Sequence, residues 1–74
     1  MIYLMDFDPK HRRLHRMKVF DDLQRPLVQD ERLEWELFYL QARERREVVL
    51  LAAADEATLR HTHARYFSTA LVAS

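Results

Sequence analysis

Residues 30–53 read DERLEWELFYLQARERREVVLLAA, and the division of this stretch decides the fold. Leu33, Leu37, Leu40, Val48 and Leu51 recur at the spacing of one helical face. Trp35, Phe38, Ala42 and Val49 form a second apolar group nearly opposite, with Tyr39 next to Phe38. A helix that is apolar on two sides sits between neighbours, or packs on its own domain and on a partner as well. The spacing predicts one helix over about 29–53. Asp30, Glu31 and Glu34 lie near its start, where the macrodipole favours negative charge.

Upstream, Pro26 ends or kinks whatever precedes it. Asp8-Pro9 offers an N-cap acceptor followed by proline at the first helical position, which predicts a helix over about 9–24. Leu14, Met17, Phe20 and Leu23 are its apolar side. Residues 1–8 form an apolar, partly aromatic arm, expected to pack over the helices or to add as a lone strand to a partner's sheet. Downstream, Asp55 is the expected N-cap of a third helix over about 56–72, with Leu59, Tyr66 and Ala70 as its stripe. The chain has neither glycine nor asparagine, so tight hairpins lack their usual turn residues. The expected fold is therefore all-α: a single small three-helix domain, with a helical hairpin after an N-terminal basic helix and a short arm or single strand before it.

Seventy-four residues make a small core, and without cysteine neither disulfides nor thiolate metal sites support it. Absence of cysteine suits a reducing compartment. The run Met1 to Met5 is too short for a signal peptide or a membrane span, so a cytoplasmic location is expected and no membrane partner. Without glycine there is no phosphate-cradling loop, dinucleotide fingerprint or nucleophile elbow. Ser68 and Ser74, the only serines, have no general base at a telling spacing, and the reading is non-enzymatic with no cofactor. His11 and His15 stand at i, i+4 with Asp8 a turn earlier, but no fourth ligand follows, so no metal site is expected.

Three groups of residues stand out as candidate sites. Glu44 and His63 interrupt the apolar stripes of the two helices of the hairpin, at matching distances from its turn. They are expected to meet as a buried polar pair, because a buried carboxylate needs a hydrogen-bonded partner. Trp35, Phe38, Tyr39, Ala42 and Val49 form the expected partner-binding side, and aromatics of this kind carry much of the energy of interfaces. Lys10, Arg12, Arg13, Arg16 and Lys18 form a basic patch. Twelve basic and twelve acidic side chains nevertheless cancel over the whole chain, which argues against a non-specific coat for nucleic acid.

Leu14, Arg16, Phe20, Asp21, Leu23 and Arg25, followed by Phe38-Tyr39, are similar in spacing to the small helical Hha/YmoA nucleoid modulators. The likeness covers about a third of the chain, needs a gap before Phe38 and stops after Arg46. It implies binding to a DNA-associated partner. The leading expectation is a protein-binding module, a small regulator, inhibitor or accessory subunit docked on a larger protein, with a homodimer as a further form. Many phage-encoded or mobile-element-encoded modulators are chains of this kind. The alternative is a nucleic-acid-associated regulator that uses the basic helix over 10–18.

Overall fold

The computed structural model describes residues 1–67. Its elements are strand β1 (Ile2–Asp8), strand β2 (Arg13–Phe20), helix α1 (Arg25–Ala42), strand β3 (Glu47–Ala52) and helix α2 (Glu56–Thr62). Single 3-10 turns lie at Asp22–Gln24 and Ala64–Tyr66. The strands form one sheet in the order β2-β1-β3, with both outer strands antiparallel to β1. It follows that β2 and β3 run parallel to each other, and α1 is the crossover that carries the chain past β1.

The sheet is covered on both faces. α1 packs on one, where Ile2, Leu4, Phe20, Val28 and Trp35 form a core with Val48 and Leu50 against it. α2 and the 3-10 turn after it cover the other, where Tyr3, Met5, Phe7, Leu59 and Tyr66 gather with Leu14, Met17, Val49 and Leu51. Every residue of β1 from Ile2 to Phe7 is thus buried, which accounts for a nearly unbroken apolar run in place of strict alternation.

This α+β architecture replaces the expected all-α, three-helix bundle. The segment expected as an N-terminal arm is the central strand, with both edges already paired within the chain, so it is not open to a partner's sheet. The segment expected as a basic helix over about 9–24 is a turn followed by β2 and a 3-10 turn. Its Leu14 and Met17 are three apart, a helical spacing, yet both face the α2 side of the sheet. The pairing of β1 with β2 slips between Asp6 and Phe7, which places His15 in a bulge; the extra residue turns the strand period of two into three. The likeness to a helical nucleoid-modulator family does not carry over to the fold, since Leu14, Arg16 and Phe20 lie in a strand.

The hairpin forms without glycine because Arg12 takes the left-handed conformation at φ 54°. A non-glycine residue there costs roughly 1–2 kcal/mol. Asp8 offsets this by ordering the loop: its Oδ1 accepts from the backbone N–H of Lys10 at 3.0 Å and of His11 at 3.3 Å. The helix expected over about 29–53 is divided by the same device. α1 opens with Pro26 in its first turn, behind a capping box between Asp21 and Gln24, and closes where Arg43 adopts φ 57°. There the N–H of Arg43 donates to Leu40 O and that of Glu44 to Tyr39 O, a Schellman ending with arginine in glycine's place. Released from the helix, Val48 to Leu51 extend as β3 and bury alternate side chains on the two faces.

Asp55 caps α2 by accepting from the Thr58 N–H at 2.7 Å. α2 itself ends at Thr62 and a 3-10 turn follows at Ala64–Tyr66, so the helix expected over about 56–72 is cut short; its remainder from residue 68, with Ala70, lies outside the described residues. No described helix is long and apolar enough to cross a membrane. Replacing Arg43 with glycine removes the left-handed penalty without removing an ion pair among the described residues. We expect Arg43→Gly to raise stability by about 0.5–1 kcal/mol, read as a higher denaturant midpoint at unchanged slope.

Candidate functional site

The polar centre of the fold is a residue in the middle of β1. Asp6 is 0% exposed and lies on the α1 face of the sheet, continuing the line of Ile2 and Leu4. Its Oδ2 accepts a hydrogen bond from the Tyr39 hydroxyl of α1 and one from Nε of Arg16 in β2 at 3.4 Å. Its Oδ1 faces Nη1 of Arg46, in the loop before β3, at 3.6 Å. The Arg16 guanidinium also lies 3.6 Å from the centre of the Trp35 ring, and that of Arg46 lies 5.2 Å from the Tyr39 ring. One carboxylate is therefore compensated by two cations and a hydroxyl from three other segments, as burial of a charge demands. Burial, and then the hydrogen bond and charge of Asp6, raise the Tyr39 hydroxyl above the ordinary tyrosine range, so it stays a donor at neutral pH.

Arg46 also lines a surface cleft of about 400 Å³, between the hairpin loop and the loop from α1 to β3. Asp8, Pro9, Lys10 and His11 form one wall; Glu44 and Arg45 join Arg46 on the other. The register explains the meeting: Asp8 pairs with Arg13 and Phe7 with Glu47, so both loops leave the same end of the sheet. Lys10, Arg12, Arg13, Arg43, Arg45, Arg46 and Arg65 collect at this end against Asp8, Glu44 and Glu47, seven cations to three acids, a net of +4. The opposite end holds Asp21, Asp22, Asp55 and Glu56. Lys10, Arg12, Arg13, Arg43 and Arg45 are exposed and form no ion pair with the described residues. Asp8 is held below the usual carboxylate range, chiefly by the hydrogen bond to the His11 side chain at 2.7 Å.

The third feature is the outer face of α1. Leu33, Leu37 and Leu40 point away from the sheet and are 55%, 46% and 72% exposed. Leu27 and Phe38 flank them, also largely exposed. Scattered exposed leucines are ordinary, but three at i, i+4, i+7 on one helix make a continuous apolar stripe.

The residues singled out from sequence are redistributed by this fold. Trp35 and Tyr39 are buried against the sheet, Val49 packs on the α2 side, and Ala42 ends α1; of that group Phe38 is the large side chain left in solvent. The two sides of α1 are thus exchanged relative to expectation, because the aromatics are the side chains that reach Arg16 and Asp6. Glu44 is exposed in the loop and pairs with Arg46 at 3.5 Å. His63 caps the C-terminus of α2, so the helical hairpin that would have levelled it with Glu44 is not present. The basic patch divides: Arg16 is drawn to Asp6 and Trp35, Lys18 pairs with Glu31 of α1 at 2.7 Å, and Lys10, Arg12 and Arg13 remain at the basic end. Among the described residues no three His, Cys, Asp or Glu side chains come together to hold a metal ion. His11 and His15 fall in the turn and the bulge rather than on one helical face.

Asp6 is the residue that sequence reasoning passed over. The available signal was a charge in phase with Ile2 and Leu4 inside an otherwise apolar run. Comparison with known proteins adds nothing to these sites: no protein-family model, curated protein or solved structure matches the chain.

Tyr39→Phe leaves one buried carboxylate oxygen without its hydroxyl donor. We expect a loss of about 1–3 kcal/mol in denaturant unfolding followed by fluorescence of Trp35, the single tryptophan. Asp8 gives a pH signature. A depressed folded-state value contributes stability that is present above the unfolded value, near pH 4, and is lost as pH falls through the folded one. Asp8→Asn therefore flattens the acid limb of the stability curve below about pH 4; a limb identical to that of the wild type would rule this out.

Proposed function

We propose that this chain is a small non-enzymatic protein-binding module, acting as a regulator, inhibitor or accessory subunit. The observation that carries the reading is the outer face of α1. A domain of this size has too little apolar surface to leave three leucines of one helix face in water without a compensating association. The basic end supplies a second, electrostatic surface suited to an acidic patch on a larger protein. A chain free of cysteine suits a cytoplasmic setting.

A second reading rests on the hairpin loop. Lys10, Arg12 and Arg13, with Arg43 and Arg45 beside them, form an exposed cationic cluster on the loops at one end of the sheet, suited to contact with the phosphate backbone. Against it stand the zero net charge and the absence of an aromatic in the cleft for base stacking.

The two readings part in one experiment. Immobilised wild type and Leu37→Lys are compared for capture of protein from an extract of the source organism, and the wild type is titrated with a short mixed-sequence DNA duplex. The protein-binding reading expects a captured species that Leu37→Lys loses, and no duplex binding that falls steeply with salt. Capture unaffected by Leu37→Lys, together with steep salt-dependent duplex binding, reverses the order.

A further inference from the structure

We propose that the outer edge of β3 pairs with β3 of a second copy of this chain, antiparallel about a dyad at Leu50, to make one continuous sheet. The inference does not rest on the outer face of α1.

The two edges of the sheet differ in kind. β2 carries Arg13, His15, Arg16 and Lys18, and its ladder slips at the bulge. Charges and bulges are devices that keep an edge strand from pairing. β3 has neither: Val48 to Ala52 are uncharged, contain no proline and keep an unbroken register with β1. Such a run is the sequence of an interior strand, yet β1 is its single neighbour among the described residues. Helices cover the sheet on both faces, but Val48 to Leu51 stay half-buried where their mates in β1 are buried. A strand alongside would complete the burial.

The backbone selects the register. The Ala53 N–H donates to Met1 O at 3.1 Å, so those two residues form a hydrogen-bonded pair. Such pairs alternate along an antiparallel ladder. Val49 and Leu51 therefore turn their backbone groups to β1, and Val48, Leu50 and Ala52 turn theirs outward, away from any described strand. A dyad at Leu50 sets Leu50 on Leu50 and Val48 on Ala52 of the other copy, which satisfies every outward N–H and C=O of the strand. A dyad at Val49 or Leu51 leaves one outward residue with no strand residue opposite. The dyad at Leu50 also opposes Val49 to Leu51 on the α2 side and keeps both α1 helices on the other.

Charge and closure select a second copy as the occupant. At the Glu47 end of the edge, Arg46 is held by Asp6 and Glu44, and Glu47 by Arg65, which leaves Arg43 and Arg45 without an ion pair among the described residues. At the Ala52 end, Glu56 is held by Arg60, which leaves Asp55 as an acid with no cation beside it. Counted on past the strand, the dyad brings Arg45 level with Asp55 of the other copy, and does so twice. Glu47 falls opposite Ala53, so like charges do not meet. A strand from another protein would leave a further edge to close, whereas the dyad leaves the two β2 edges, both guarded by charge and bulge.

Light scattering over a wide concentration range should give twice the 9.0 kDa chain mass for the wild type and for Leu37→Lys. In that dimer the Val48, Leu50 and Ala52 amides should resist hydrogen exchange as well as those of Val49 and Leu51, whereas on an open edge they exchange freely. Ala52→Pro removes an outward donor and spares the ladder with β1, so it should give the chain mass with unchanged circular dichroism. The chain has no cysteine, so introduced thiols report the register. Leu50→Cys should cross-link to itself under mild oxidation. Ala52→Cys should not, because its mate lies about 13 Å away at 3.3 Å per residue. A mixture of Val48→Cys and Ala52→Cys should cross-link. A wild type that is monomeric throughout, free exchange of the Leu50 amide in a dimer, or self-cross-linking of Ala52→Cys overturns the proposal. So does a dimer that Leu37→Lys dissociates and Ala52→Pro does not. If Ala52→Pro fails to fold, the exchange pattern of the wild type decides.

Discussion

A carboxylate placed at full burial in the middle strand of a sheet has to be compensated from outside its own strand. Asp6 draws that compensation from a neighbouring strand, from the crossover helix and from the loop that follows it. Each partner is thereby assigned a position. Arg16 must lean over the sheet, which also lays its guanidinium on Trp35. Tyr39 must face inward, which fixes the rotation of α1 about its axis. Arg46 must approach the carboxylate, which brings the loop after α1 back toward β1 and starts β3 beside it. With α1 rotated so that Val28, Trp35 and Tyr39 face the sheet, the leucines of the opposite side have nowhere to go but outward. The exposed stripe is thus a consequence of the buried charge, not a separate choice of the sequence.

The legibility of the sequence follows the same physics. Asp55 as a cap and a helix across the thirties are local signals, and both hold because capping and apolar periodicity act within a few residues; Pro26, expected to end or kink a preceding helix, instead lies in the first turn of α1. The strands were hidden for three particular reasons. A bulge at His15 put Leu14 and Met17 on one face at helical spacing. Arg43 in a left-handed conformation ended α1 without the glycine or asparagine that normally marks such a stop. The run Val48 to Leu51, buried on both faces, kept apolar residues at positions that also extend a helical stripe. The sidedness of α1 was legible in part: two apolar stripes were visible, but which one faces inward depends on Asp6 and Arg16, which are distant in sequence.

The candidate surfaces divide by how they arise. The basic end is a product of topology, since an antiparallel register folds the hairpin loop and the loop after α1 onto the same end of the sheet. In the linear sequence its cations are two clusters about thirty residues apart. The leucine face is a product of local periodicity visible along the helix, although the expected contact side is the opposite, aromatic one. The two candidate surfaces are thus encoded at two ranges, one readable along the helix and one readable only after folding.

The position of β1 between its partners also shapes how the molecule assembles. β2 follows it directly and can close a hairpin early, whereas β3 must wait for eighteen residues of helix to form and swing across. Ile2 meets Phe20 on one side and Ala52 on the other, so the two halves of the ladder close over very different loop lengths. Until the second half is in place, the strand that ends most buried carries one bare edge, a template for pairing with other chains. The turn at Arg43, which releases the chain from α1 into β3, is therefore what lets the second edge of β1 be covered from within the chain.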